Sequence, residues 1–157
     1  WSRGEELMTD RFPELVALAA GWPEGTVVDG EIVVWDASAD ALPGSERAGR
    51  PAPFALLQQR IGRKTLGPKI LRELPVALLA YDLIEQGGQD LREQPLHARR
   101  AALDALAQDL NHPLLIASPV LTRDTRAQLA TLREDASPVG RKVTVTAQDE
   151  TATFVFA

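Results

Sequence analysis

The stretch VVDGEIVVW, residues 27–35, constrains the fold more than any other part of the chain. An apolar run of this length between turn-forming residues reads as a buried β-strand. Side chains alternate across a strand, so Val27, Asp29, Glu31 and Val33 share one face while Val28, Gly30, Ile32 and Val34 share the other. The two carboxylates then look the same way, roughly 7 Å apart along the strand. Like charges so placed repel unless a cation, a hydroxyl or water lies between them, which makes this face either a solvated edge or a site.

Around this strand the periodicity alternates between strand and helix. WSRGEELMTDRFPELVALAAG predicts a strand end and turn feeding a helix, with Phe12, Leu15, Val16 and Ala19 at helical spacing and Thr9 or Asp10 capping its first amides. Residues 36–53, DASADALPGSERAGRPAP, are rich in small, turn-forming and charged residues and read as a surface loop, long for a connection inside a compact domain. PFALLQQRIGRKTLGPKILRELP predicts two short helical pieces broken at Gly67 and Pro68, with Phe54, Leu57 and Ile61 on one face. VALLAYDLI is a second buried strand, followed by a turn at Gly87 and Gly88. DLREQPLHARRAALDALAQDL predicts an amphipathic helix with Pro95 near its first turn and Leu96, Leu103, Leu106 and Leu110 facing inward. LLIASPVL reads as a short third strand, TRDTRAQLATLREDA as a last helix, and KVTVTAQDETATFVFA as a β-hairpin with an Asp-Glu turn. The sum is an α+β domain with an antiparallel or mixed sheet packed by helices.

A chain of 157 residues is one domain, or part of a larger one, and can bury a real core. Hydrophobic content of 45% and charged content of 25% exclude disorder over most of it. A net charge of -5 argues against a wholly basic nucleic-acid-binding surface but leaves room for a local basic patch. The absence of cysteine excludes disulfides and cysteine-bound metal and fits an intracellular, cytoplasmic protein. No apolar run approaches the ~18 residues of a membrane-spanning helix. The chain opens on Trp1 rather than methionine, and the expectation is a piece of something longer.

Each candidate for chemistry has a plain structural explanation beside it. Asp29 and Glu31 are solvated acids at a strand edge, or oxygen ligands for a divalent cation or a sugar hydroxyl. Arg3 is a surface arginine, or a guanidinium in a polar turn that grips phosphate. Arg60, Arg63, Lys64 and Lys69 form the one basic cluster, which is a solvated helix face or a track for a nucleic-acid backbone. Tyr81, the only tyrosine, packs in the core or stacks on a nucleobase. There is no phosphate-binding loop ending in Gly-Lys-Ser or Gly-Lys-Thr and no GxSxG turn, and His97 and His112 read as surface residues without metal spacing.

Taken together and in order, these segments resemble the adenylation (nucleotidyltransferase) domain of ATP-dependent DNA ligases, with the bacterial forms nearest. WSRGEELMTDRFPEL is similar to the family segment just after the nucleophile strand, VVDGEIVVW to its acidic strand, PFALLQQRIGRKT to the segment that follows, and LLAYDLIEQGGQDLREQPLHARRAAL to its aromatic strand and the helix behind it. The resemblance runs from Trp1 to about Glu134. It implies a partial, ATP-grasp-like adenylation domain over residues 1–140, with residues 141–157 a divergent hairpin-like tail in which Gly140, Arg141 and Lys142 do not make the family's later lysine pattern. RNA ligases and messenger-RNA capping enzymes share the acidic and aromatic strands, but the GQDLREQPLHARR segment looks like a DNA ligase. A non-catalytic nucleotide- or DNA-binding remnant is the alternative from another class.

The family seals nicks in duplex DNA with ATP and Mg²⁺, by way of a lysine-linked AMP and an adenylated DNA end. Carried over residue by residue, the resemblance implies that Arg3 contacts the nick 5′-phosphate or the AMP phosphate. It has Glu31 hold the ribose hydroxyls or help with metal, Asp29 support it, and Tyr81 stack on adenine. Arg63 and Lys64 would lie near DNA. The nucleophilic lysine, in a Lys-x-Asp-Gly pattern, would precede Arg3, so this chain alone is expected not to catalyse, and the parent is expected to be a monomer that does.

Overall fold

A computed structural model describes residues 8–40, 48–122, 142–147 and 150–155 of the protein. Its elements in chain order are a 3₁₀ turn (Thr9–Arg11), α1 (Pro13–Ala19), β1 (Val27–Asp36), β2 (Arg50–Pro51), α2 (Phe54–Ile61), α3 (Pro68–Glu73), β3 (Val76–Gln86), β4 (Gln89–Asp90), α4 (Leu96–Leu110), β5 (Leu115–Ala117), β6 (Leu121–Thr122), β7 (Lys142–Ala147) and β8 (Glu150–Val155). The chain divides into two compact units, Trp1–Trp35 with Ala55–Ser118, and Asp36–Phe54 with Pro119–Ala157.

The first unit is α+β and is built around β3. β1 pairs with it antiparallel along most of its length, β4 antiparallel at its far end, and β5 parallel at Leu78–Ala80, so the sheet is mixed. Gly87 and Gly88, at φ of +60° and +78°, form the two-residue turn between β3 and β4; such mirror-image turns match the twist of the strands they join and admit few residues other than glycine. Helix α4 is stopped at Asn111, which adopts the left-handed conformation and donates its N–H to the Ala107 carbonyl. The core gathers Leu18 of α1, Ala80 and Leu83 of β3, Leu91 just after β4, Leu103 and Leu106 of α4, and Leu115 of β5, with Val28, Leu78 and Leu110 packed against it.

Burial along β1 changes character. Val33, Val34 and Trp35 are all buried, so that end is covered on both faces, whereas in Val27–Gly30 exposed and half-buried residues alternate and Glu31 is half-buried. The two acids therefore sit in the half of the strand with one face open.

Three expectations are corrected. The first helix does not start at Thr9 or Asp10 and has no side-chain cap; it breaks at Phe12 (φ -137°, ψ 61°) and restarts at Pro13. A proline disfavours the helical conformation in the residue before it, which separates the 3₁₀ turn from α1. The predicted third strand is two strands in different sheets, β5 and β6, parted at Ser118-Pro119, where proline offers no N–H to continue a ladder. The Asp-Glu turn is displaced, because Glu150 is the first residue of β8 and pairs with Ala147. The two helical pieces expected on either side of Gly67 and Pro68 are α2 and α3, with residues 62–67 between them and Pro68 the first residue of α3.

In the second unit, the Asp36 carboxylate accepts hydrogen bonds from the Ser38 N–H (3.0 Å) and hydroxyl (2.6 Å), which hold its pKa below the usual value. β6 pairs parallel with β7, and β7 antiparallel with β8. The helix expected over residues 122–136 lies almost wholly outside the described residues.

Candidate functional site

Opposite the open half of β1, strand β3 carries an irregularity. Asp29 pairs with Asp82 and Gly30 with Ala80, so Tyr81 is an extra residue with no partner position of its own. This is a β-bulge, which re-aims the side chains around it. It also explains how Ala80 and Leu83, three residues apart, can both be fully buried on a strand of period two.

The bulge brings two predicted site residues together: the Tyr81 hydroxyl donates to Asp29 Oδ1 at 3.1 Å. Tyr81 is half-buried and Asp29 exposed, so the ring does not have the core fate usual for a tyrosine in an aliphatic strand. Glu31 is half-buried one alternation further along β1, opposite Leu79. Between the acids, Gly30 is required by close approach. A Cβ there would lie 2.8 Å from the Leu79 carbonyl oxygen, 2.9 Å from Leu78 Cδ1 and 3.1 Å from the Ala80 Cα.

Asp82, the second residue of the bulge, turns to α4. Arg99 grips it with two parallel bonds, Nε to Oδ1 and Nη2 to Oδ2, both 2.8 Å, and each side chain is less than a fifth exposed. Asp82 Oδ1 also accepts the Leu83 N–H at 2.9 Å, and the carboxylate raises the Arg99 pKa. Arg99 Nη1 donates to the Gln94 carbonyl at 2.6 Å, tying the β4–α4 connection to the same point.

The basic cluster separates. Arg63 and Lys64 are exposed, and Lys69 pairs with Glu73 across one turn of α3 at 3.7 Å. Arg60 leaves the surface: fully buried, it donates to the Leu74 carbonyl (2.9 Å), the Arg11 carbonyl (3.2 Å) and Glu14 Oε2 (2.5 Å), and lies 5.4 Å from the centre of the Phe12 ring. Its place as a possible phosphate contact is thereby corrected to one in the core. Arg3 lies outside the described residues. Among the described residues no three His, Asp or Glu side chains gather as a metal site, and no helix is long and apolar enough to cross a membrane.

The chain matches the family model described as "ATP dependent DNA ligase domain" over residues 1–136. It belongs to the ATP-dependent DNA ligase family. It is 37% identical over 107 residues to a protein of Opitutus terrae named "Probable DNA ligase", covering 68% of this chain and 9% of that one. It is 33% identical over 143 residues to a DNA ligase of Haloferax volcanii, covering 90% of this chain and 22% of the relative. It is also 36% identical over 129 residues to DNA ligase C2 of Mycolicibacterium smegmatis, covering 81% and 33%. This ligase-family chain thus spans a third or less of the length of these curated relatives.

Sequence reasoning missed two arginines in this family member. Arg60 had a signal, since it stands three residues after Leu57 on the buried face of α2. Arg99 had none, because its partner Asp82 is 17 residues away and meets it only through the packing of α4 on β3. Asp90 adds a local test. Hydrogen bonds from the Arg92 side chain and N–H hold its pKa at about 2, down from 3.8. A carboxylate so lowered contributes stability above its unfolded pKa and loses it as pH falls through the folded value. NMR titration of the side-chain carboxyl should find Asp90 still largely ionised at about pH 3, and Arg92→Ala should return its midpoint to the ordinary aspartate range.

Proposed function

We propose that the chain is the central part of a DNA ligase adenylation domain, of ATP-grasp-like form, and that the open half of β1 with the Tyr81 bulge is one wall of its nucleotide cleft. In this reading Tyr81 stacks on adenine, Glu31 accepts hydrogen bonds from the ribose hydroxyls, and Asp29 holds the tyrosine hydroxyl and completes the acidic wall. Arg3 meets phosphate, and the exposed Arg63 and Lys64 face the DNA backbone. The parent protein then seals nicks in duplex DNA, as a cytoplasmic monomer.

The observation that carries this reading is the Tyr81 hydroxyl on Asp29 at 3.1 Å, at a bulge that brings the aromatic and acidic residues to one place. An aromatic ring held by its hydroxyl keeps a π-face for a base, and the two oxygens of one carboxylate can accept from neighbouring hydroxyls of a sugar. The donor set fits Mg²⁺ in a limited way. Asp29 and Glu31 supply one or two carboxylates, which is what Mg²⁺ takes from protein when phosphate oxygens and waters complete its octahedron. When bound, the metal neutralises phosphate charge.

Calorimetric titration with ATP tests the site. Loss of base stacking costs about 1–3 kcal/mol per base, so Tyr81→Ala should weaken binding by roughly fivefold to 150-fold, and Glu31→Ala should also weaken it. Unchanged affinity in both variants would remove the site from this face.

A further inference from the structure

We infer that Asp82 and Arg99 are positioning residues for the nucleotide face: their ion pair clamps the β3 bulge to α4 and thereby aims the Tyr81 ring. The inference rests on the proposed role of Tyr81 and extends it to two residues that touch no nucleotide. A bulge has one residue too many for its ladder, and the ladder does not determine which of the two faces the partner strand. Here the ladder pairs Asp82 with Asp29 and leaves Tyr81 as the extra residue, yet the side chain that reaches the Asp29 carboxylate is that of Tyr81. Three hydrogen bonds hold the Asp82 carboxylate, two from the planar grip of Arg99 and one from the Leu83 N–H, and the Gln94 carbonyl fixes Arg99 in turn. With the Asp82 carboxylate held toward α4, the Asp29 carboxylate is left to the Tyr81 hydroxyl, which donates to it. Were Asp82 released, two carboxylates would compete for that position beside Asp29, and the ring would lose its anchor.

Lysine cannot reproduce the planar two-pronged grip, so Arg99→Lys keeps the charge and loses the clamp. Asp82→Asn keeps the shape and the acceptor for Leu83 N–H but weakens the pair. Tyr81 is the only tyrosine in the chain, so 3-fluorotyrosine labelling gives a single ¹⁹F resonance that reports on its ring alone. Both variants should shift and broaden that resonance and should weaken ATP binding by about tenfold, the lower end of what removing an orienting partner does at metal sites. In a Tyr81→Ala background the same substitutions should cost nothing further, since their effect passes through the ring. Circular dichroism at the titration temperature establishes that each variant is folded.

An unmoved ¹⁹F line in both folded variants would overturn the clamp, as would a full additional loss of affinity in the Tyr81→Ala background. If instead the line moves in both variants but Tyr81→Ala leaves ATP affinity unchanged, the clamp stands as geometry and the nucleotide reading of the face is what fails.

Discussion

Arg60→Ala is expected to destabilise the first unit by about 3–5 kcal/mol, the cost of breaking a buried ion pair by removing one partner. Three acceptors depend on this guanidinium: Glu14 Oε2 and the backbone carbonyls of Leu74 and Arg11. Its removal leaves the carbonyl after α3 and the one in the 3₁₀ turn without their donor, and takes the cation from over the Phe12 ring. Glu14→Gln should cost less, about 1–2 kcal/mol, because Glu14 is partly exposed and the amide still accepts a hydrogen bond. The pair is not ideal, since Arg60 Nε and Glu14 Oε1 make no hydrogen bond among the described residues. A joint Arg60→Met, Glu14→Leu replacement should therefore recover most of the loss, as apolar substitutes for buried ion pairs often do. Urea unfolding of the three variants checks the order. Equal stability of wild type and Arg60→Ala would mean that the arginine is not buried as described.

The same arginine marks where the sequence stops being legible. Charge type argues for the surface, and Arg60 sits in a run with Arg63, Lys64 and Lys69, so composition alone reads all of them as one patch. Burial of a single member depends on a carboxylate 46 residues earlier and a carbonyl 14 residues later, and no local window contains them. Where burial follows from period the reading succeeds in the longer elements, while in the short helices α1 and α2 two residues placed by spacing, Val16 and Phe54, are exposed. The alternation of β1, the leucines of α4 and the glycine pair after β3 all express rules that act over a few residues. It fails where two elements decide a matter jointly. The third strand reads as one because LLIASPVL is apolar throughout, yet its halves pair in different sheets. Asp29 is visible as an acid inside an apolar strand and Tyr81 as the only tyrosine of the sequence, but their contact depends on a register shift between strands about fifty residues apart.

Gly30→Ala is the substitution that joins fold and site. The added methyl would approach backbone on β3, the Leu79 carbonyl oxygen at 2.8 Å and the Ala80 Cα at 3.1 Å, as well as Leu78 Cδ1 at 2.9 Å. A flexible side chain can yield; two paired strands can part only by weakening the ladder at the point where the bulge already interrupts it. Overpacking of this kind costs about 1–3 kcal/mol, and the strands should separate where Asp29 meets Tyr81. The variant should therefore unfold at lower urea and also bind ATP at least as weakly as Tyr81→Phe, which loses only the hydroxyl. Glycine between the two acids thus has a function of its own: it allows β1 and β3 to come close enough for the tyrosine hydroxyl to reach the first carboxylate. A Gly30→Ala protein of unchanged stability and unchanged ATP affinity would show that the close approach is not needed, and would separate the acidic strand from the aromatic one.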